Sequence, residues 1–195
     1  AYNPHTYPIE TGVNLKLYNP AKKYETPGDM QDIPRPIIGY MGTINSTRLD
    51  GELLYQIISQ RPDYSFVFTG PEDDIFRRNR IHSLKNAYFT GQKKVDELPA
   101  YIAAYDVCIN PQMVNEITDG NYPLKIDEYL AMGKPTVATS THTMRNIFAG
   151  HTHLAINPEE WLAAIDRAVT EADDKELAKQ RIAFAETHSW GHSVK

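Results

Sequence analysis

From Pro36 onward, short runs of β-branched and aromatic residues alternate with segments in which apolar residues recur at helical spacing. This alternation is typical of βαβ units built around a parallel sheet. Six runs are predicted to be strands: Ile37–Met41, Tyr64–Thr69, Ala87–Thr90, Asp106–Asn110, Thr136–Thr139 and His153–Ile156. We therefore predict an α/β domain with an open, doubly wound (Rossmann-like), mostly parallel sheet of about six strands and helices on both faces.

Helices are predicted in four places. The first crossover helix follows from apolar residues at a spacing near 3.6: Leu49, Leu53, Leu54, Ile57 and Ile58. Asn157 and Pro158 supply an N-cap and a first helical position, so a helix begins there. A further helix is predicted from about Asp174 to His188, after an acidic run, 171–174, that is expected to be a solvated helix junction. A short helix precedes Thr136–Thr139 and ends before Gly133.

The composition excludes several classes of protein. With 195 residues, 41% hydrophobic and 23% charged, the chain is long enough for one ordinary domain with a full core. Its 20 basic and 25 acidic residues give a net charge of −5, the wrong sign for holding nucleic acid on a basic face. No apolar stretch approaches the roughly 20 residues of a membrane span, and residues 1–20 lack the features of a signal peptide. The single cysteine, Cys108, lies in an apolar run and is expected to be buried, in a reducing, cytoplasmic setting.

Polar and glycine-rich residues follow the predicted strands at their carboxyl ends, where open α/β sheets bind their ligands. These segments are Gly42-Thr43-Ile44-Asn45, Thr69-Gly70-Pro71, Thr90-Gly91-Gln92-Lys93, Asn110-Pro111-Gln112 and Thr139-Ser140-Thr141. Gly42 would let a phosphate approach the backbone closely, and the amides after it would donate hydrogen bonds. The alternative is that Gly42 serves only a tight turn.

The segment 121–135 is the most informative part of the sequence. Its short helix would place Lys125 and Glu128 on one face, with the helix N-terminus at the strand ends. Free N–H groups, the helix dipole and Lys125 would attract a diphosphate, and Glu128 would accept hydrogen bonds from ribose hydroxyls. The alternative is an exposed Lys–Glu pair that stabilises the helix by less than about 0.5 kcal/mol.

This segment resembles the signature of GT-B glycosyltransferases of the large retaining, nucleotide-sugar-dependent class. The matching residues are Lys125, Glu128-Tyr129-Leu130-Ala131 and Gly133-Lys134-Pro135. Other segments of the chain resemble parts of this family's sequences as well. They are 38–44 together with Leu49-Asp50, 62–71, 86–91 together with 97–99, 106–111 and 115–118. Gly12-Val13-Asn14 and Tyr18-Asn19-Pro20 resemble the segment by which this family enters its second domain, and Ser189-Trp190 resembles the stretch that turns back toward the first.

The resemblance implies the C-terminal, donor-binding half of such an enzyme. It would bind a nucleoside diphosphate sugar for transfer to an acceptor, a glycan or lipid-linked sugar held by a separate N-terminal domain. Polysaccharide biosynthesis and a peripheral membrane position through that domain are expected. Since the first residue is not Met, we expect a fragment that transfers nothing alone. The predicted divisions are a lead-in segment (1–36), a nucleotide-sugar-binding domain (37–172) and a returning helix and tail (173–195).

The same resemblance supplies the candidate site residues. Those expected to bind the donor are Gly42, Thr43, Arg48, Gly91, Gln92, Lys93, Asn121, Tyr122, Lys125 and Glu128. Lys125 and Glu116 are the candidates for catalysis, with Lys125 stabilising the charge that grows on the leaving diphosphate.

Two departures from the family pattern stand out. Members often carry two glutamates separated by seven residues; Glu128 fits the second, but Gly120 occupies the first position, and Glu116 or Asp119 would have to substitute. Many members also have an arginine after the first-loop glycine, where this chain has Thr43, which leaves Arg48 or Lys125 as the nearest cation.

The sequence also allows other interpretations. A non-catalytic nucleotide-sugar-binding module and a nucleotide-sugar epimerase of related fold stay open as alternatives. No metal or other cofactor is predicted, because no aspartate-x-aspartate motif is present to bridge a divalent ion to the diphosphate. His151 and His153 alternate as a metal pair would, but no third ligand lies near them in the sequence.

Overall fold

The computed structural model describes residues 12–116 and 118–189. Residues 1–11 of the predicted lead-in segment, Ile117 and Trp190 with the tail after it lie outside the described residues. No helix within the described ranges is both long and apolar enough to cross a lipid bilayer.

Six parallel strands form one sheet. They are β1 (Ile37–Met41), β2 (Ser65–Thr69), β3 (Ala87–Gly91), β4 (Val107–Asn110), β5 (Thr136–Thr139) and β6 (His153–Ala155), in the order β3-β2-β1-β4-β5-β6. All five neighbouring pairs run parallel. The predicted sheet is therefore confirmed, with bounds that differ by one residue at four strands, as expected where strand ends fray.

In the part of the chain that the structure describes, five α-helices cover the two faces of the sheet. They are α1 (Gly51–Ser59), α2 (Leu98–Ala104), α3 (Leu124–Ala131), α4 (Pro158–Thr170) and α5 (Lys175–Thr187). Buried residues of α1 and α4 join one core cluster, whereas those of α2, α3 and α5 join the other. The doubly wound arrangement follows, because each central strand presents alternate side chains to a different helical layer.

The helices predicted from capping residues begin and end close to the predicted positions. Asn157 caps α4 by accepting from the Glu160 N–H at 2.9 Å. Gly133 follows α3 with φ +72°, and its N–H donates to the Leu130 carbonyl at 2.8 Å. A left-handed residue there ends the helix at low cost because glycine has no Cβ.

Several elements were not predicted. They are α2, three short 3₁₀ turns at Gly28–Met30, Phe76–Arg78 and Arg80–Ser83, and a π-helical turn at Met144–Phe148. Each is short, and the apolar spacing that predicts a helix needs more than two turns to be recognisable.

The acidic run before α5 is only partly the solvated junction that was predicted. Asp174 does cap α5, accepting from the N–H groups of Glu176 and Leu177. Glu171, however, is a poorly exposed carboxylate that contacts Arg181 and His153. Ion pairing with residues of other elements holds it against the domain.

Strand order creates a crevice beside β1. β1 and β4 are neighbours in the sheet. The strand that follows β1 in sequence lies on the far side of β1, and the strand that follows β4 lies on the far side of β4, so the loops after β1 and β4 diverge. Such a topological switch point is where open α/β sheets bind ligands. The buried Tyr129 hydroxyl in the second turn of α3 accepts from the Met41 N–H at 2.8 Å, which holds α3 against the end of β1.

Candidate functional site

A cleft of about 940 Å³, here called the switch-point cleft, opens at the carboxyl ends of β1, β2 and β4. Nine of the ten predicted donor-binding residues line it: Gly42, Thr43, Arg48, Gln92, Lys93, Asn121, Tyr122, Lys125 and Glu128. Gly91 does not line it, but its carbonyl accepts from the Gly70 N–H at 3.0 Å and so fixes the neighbouring wall. The volume is within the range of small-molecule sites.

Lys125 is held over the turn that follows β1. Its Nζ donates to the Tyr40 hydroxyl at 2.7 Å and lies 4.2 Å from the centre of that ring. The Tyr40 hydroxyl in turn donates to the Thr43 carbonyl at 3.0 Å. A Cβ on Gly42 would lie 2.8 Å from Lys125 Nζ, so the absence of a side chain at this position makes room for the ammonium group. The ammonium group is therefore fixed beside exposed backbone.

Backbone amides of α3 also face the cleft. Pro123 occupies the N-cap position of α3 and provides no side-chain hydrogen bond to the helix. Among the described residues no side chain caps α3, so the first-turn amides of Leu124 and Lys125, which have no partner within the helix, are uncapped there. Uncapped amides at a helix N-terminus, next to a fixed ammonium group, are an arrangement that favours an anion.

The turn after β1 offers fewer free backbone amides to a ligand than the sequence suggested. The Gly42 N–H donates to the Thr69 carbonyl at 2.9 Å, and the Ile44 N–H donates to the Pro71 carbonyl at 2.8 Å. Within the described ranges, only the Thr43 amide of these three has no backbone partner. Gly42 is both a turn residue and a close neighbour of Lys125.

The cleft is cationic although the chain is acidic. Arg48, Lys93 and Lys125 line it, and Glu128 is the one carboxylate among the described residues that line it. Lys93 also pairs with Asp29 at 2.7 Å, which balances part of its charge. Partial burial disfavours the charge of Lys93, but hydrogen bonds to Asp29 and Tyr101 outweigh burial and raise the Lys93 pKa. The chain as a whole has a net charge of −5, so these positive side chains stand out from the rest of the surface. Their charge favours an anionic ligand in the cleft.

Glu128 is not part of an exposed Lys–Glu pair. Burial raises its pKa to about 7, opposed by hydrogen bonding to the Tyr18 hydroxyl and by the charge of Lys125. Tyr18 is itself buried and lies in the stretch before β1. The surface-pair alternative therefore does not describe these residues, since both side chains line a cleft and contact other elements.

We expect the stability of the protein to depend on the protonation of Glu128. Its ordinary pKa is 4.5, and folding raises it to about 7. Between these values the folded protein holds a proton that the unfolded chain has lost, so the free energy of unfolding decreases as the pH rises from 4.5 to 7. Thermal melts from pH 5 to 8 should show a steeper decline for wild type than for Glu128→Gln. Parallel curves for the two proteins would contradict this prediction.

The structure does not bring Glu116 or Asp119 to the cleft. Glu116 is exposed, and the Asp119 carboxylate accepts from the His142 N–H at 2.8 Å. Neither residue is among those lining the cleft, and Gly120 is exposed with open space at its Cα. The proposed catalytic role of Glu116 stays a prediction, with no support from its position.

The described lining also includes residues that were not assigned to donor binding from the sequence, among them Tyr18, Tyr40, Asn110 and Gln112. Tyr40 stands in a strand whose other residues are apolar, and Tyr18 stands in a stretch of mixed composition before β1, so nothing in the sequence marks either tyrosine as a cleft residue. Asn110 and Gln112 are buried, and the Asn110 amide donates to the Gln112 side-chain oxygen at 3.3 Å. Their position in a strand-end loop was the only available signal.

No group of three or more His, Cys, Asp or Glu side chains within 12–116 and 118–189 could hold a metal ion. His153 lies 3.0 Å from Glu171, whereas the His151 ring stacks on Phe184 with centres 3.9 Å apart. The two histidines thus contact different partners.

Comparison of the sequence with known protein families agrees with the fold and the cleft described above. The family model of glycosyl transferases, group 1, matches residues 35–171. The chain belongs to this family. Within the group 1 glycosyltransferases, TuaH of Bacillus subtilis (strain 168), named as a glycosyltransferase of teichuronic acid biosynthesis, is 27% identical over 188 residues. That match covers 93% of this chain but 47% of TuaH, so the chain spans about half the length of this relative.

Solved structures of glycosyltransferases share the fold. A glycosyltransferase from Rickettsia africae superposes with a TM-score of 0.73 and 21% identity, over 95% of this chain and 53% of that one. HepE of Anabaena, solved in complex with UDP-glucose, superposes with a TM-score of 0.68 and 16% identity, over 92% of this chain and 52% of that one. The group 1 domain described above is thus the C-terminal domain of a GT-B fold.

Proposed function

We propose that this domain binds the nucleoside diphosphate sugar donor of a glycosyltransferase. The observation that carries the proposal is the fixed ammonium group of Lys125, 2.7 Å from the Tyr40 hydroxyl, beside the uncapped N-terminus of α3. A diphosphate in the switch-point cleft would accept hydrogen bonds from both. The UDP-glucose complex of HepE, a protein of the same fold, supports this class of ligand.

The proposed chemistry is stabilisation of a leaving group. When the bond between the anomeric carbon and the phosphate oxygen breaks, the electron pair stays on the diphosphate. The acceptor oxygen forms the new bond to the anomeric carbon, and its proton passes to the departing diphosphate oxygen. Lys125 and the α3 amides would act more strongly on the departing diphosphate than on the bound donor, because its negative charge grows as the bond breaks.

Glu128 is proposed to accept hydrogen bonds from the ribose hydroxyls. It lines the cleft one helical turn after Lys125, in contact with Tyr18. Deprotonated, the carboxylate has only acceptor sites, which suits a pair of neighbouring hydroxyl donors. The acceptor of the sugar would be held by the longer protein to which this domain corresponds.

Calorimetric titration of UDP into the 195-residue chain tests this function. We expect binding that is unchanged by a chelator or by added magnesium, because cationic side chains and amides would serve in place of a metal ion. ADP and GDP, titrated in parallel, report on the base. Absence of binding for all three nucleotides would overturn the donor-binding proposal, and binding that requires magnesium would overturn its metal independence.

A further inference from the structure

Asp127 has a buried carboxylate beside the switch-point cleft that the proposed function does not use. It lies in the first turn of α3, and its side chain is fully buried. The Tyr122 hydroxyl donates to Oδ2 at 2.5 Å, and His188 Nδ1 lies 2.9 Å from Oδ1. Burying a carboxylate is unfavourable unless donors satisfy it, so these two contacts are strongly constrained.

The first of these partners belongs to the cleft. Tyr122 lines it, one residue before Pro123 and the uncapped amides of α3. Its ring also packs against Phe148, with centres 5.6 Å apart. Asp127 therefore holds one wall of the cleft from inside the domain.

The second partner belongs to a junction between distant parts of the chain. His188 forms the C-cap of α5, and its carbonyl accepts from the Val13 N–H at 3.0 Å. Val13 also forms a parallel bridge with Ser189. The imidazole packs edge-on against Phe184, with centres 4.5 Å apart. The first and last described stretches of the chain thus meet at the residue that contacts Asp127.

We propose that Asp127 is a positioning residue for donor binding, which holds Tyr122 on the cleft wall and couples it to the junction of Val13 and His188. The proposal rests on the proposed function of the cleft. A shift of the junction would move His188, and the shared carboxylate would pass that movement to Tyr122. A cleft wall that is already ordered before binding raises the affinity, because less conformational entropy is lost when the ligand binds.

The test compares Asp127→Asn and Tyr122→Phe with wild type by calorimetric titration of UDP. Asp127→Asn keeps the shape of the side chain but weakens both contacts, whereas Tyr122→Phe keeps the ring and removes only its hydroxyl. We expect each to raise the Kd for UDP about fivefold, less than the loss of a direct hydrogen bond to the ligand, because the cleft wall is loosened and the charged contacts to the diphosphate remain. Should Asp127→Asn fail to fold, the His188 variants described below decide the outcome, because His188 contacts the Asp127 carboxylate at 2.9 Å and is not among the described residues that line the cleft.

Asp166→Asn is the matched control. Asp166 lies on α4, on the other face of the sheet, and its carboxylate likewise accepts from a tyrosine, Tyr64, at 3.1 Å and from Arg61 at 2.8 Å. This variant should lower the melting temperature and leave the Kd for UDP unchanged. If Asp127→Asn also lowers only the melting temperature, its role is structural and the proposal is overturned.

His188 variants test the coupling itself. His188→Asn retains a nitrogen donor at the position of Nδ1, whereas His188→Ala removes it. We expect His188→Ala to raise the Kd for UDP about fivefold and His188→Asn to stay within about twofold of wild type. Equal affinity for UDP in wild type, His188→Ala and His188→Asn would show that the junction is not coupled to the cleft. A wild-type chain that binds no nucleotide would instead refute the proposed function and this inference with it.

Discussion

Lys125→Ala is expected to weaken nucleoside diphosphate binding by about 10-fold to 150-fold, or about 1.5–3 kcal/mol. The loss is large because the ammonium group would contact a doubly charged diphosphate inside a cleft. The expected loss of stability is below about 1 kcal/mol, since within the protein Lys125 makes one hydrogen bond and one contact with the ring of Tyr40. Calorimetric titration of UDP and thermal melts of the free proteins measure the two quantities.

Lys179→Ala is the control for this prediction. Lys179 is an exposed lysine on α5, paired with Glu176 at 3.3 Å, so the same charge is removed far from the cleft. Its Kd for UDP should equal that of wild type. If Lys125→Ala binds a nucleotide as well as Lys179→Ala does, the diphosphate is not bound at this lysine.

Gly70→Ala is expected to destabilise the fold by about 3 kcal/mol or more, combining backbone strain and steric overlap. Gly70 has φ +148°, a conformation that residues with a side chain rarely adopt. A Cβ there would also lie 2.0 Å from the Gly42 carbonyl oxygen, and backbone cannot move aside as a flexible side chain can. The loops after β1 and β2 would be pushed apart, so nucleotide binding should be lost together with stability. Chemical denaturation and UDP titration measure both effects.

Gly150→Ala is the matched glycine variant. Gly150 is exposed, has no positive φ, and a Cβ there would have no neighbour within 4 Å. It should change the free energy of unfolding by less than about 0.5 kcal/mol. A loss in Gly70→Ala no greater than in Gly150→Ala would mean that the two loops are not tightly apposed.

The sequence predicted those parts of the fold that depend on local chemistry. Asn157 and Gly133 mark helix ends because capping and left-handed backbone depend on one or two neighbouring residues. The strands could be recognised because buried parallel strands are continuous apolar runs. The seven-residue α2 was not predicted, since its apolar residues are too few to show a helical period.

The site was predictable only where the polar residues follow a strand or stand in a motif. Gly42, Lys125 and Glu128 belong to such segments, and all three line the cleft. Tyr18 could not be predicted, because its contact with Glu128 joins residues 110 positions apart. Asp127 looked like an ordinary helical carboxylate, and only tertiary packing shows that it is fully buried.

The meeting of Val13 with His188 and Ser189 has a mechanical consequence. Tension applied between these two stretches would act on one hydrogen-bonded junction, and the six strands would lie outside the path of the load. A pull at this point would separate the junction before it stretched the sheet. Single-molecule force measurements with handles at these positions would therefore record an early, low-force event ahead of unfolding of the core.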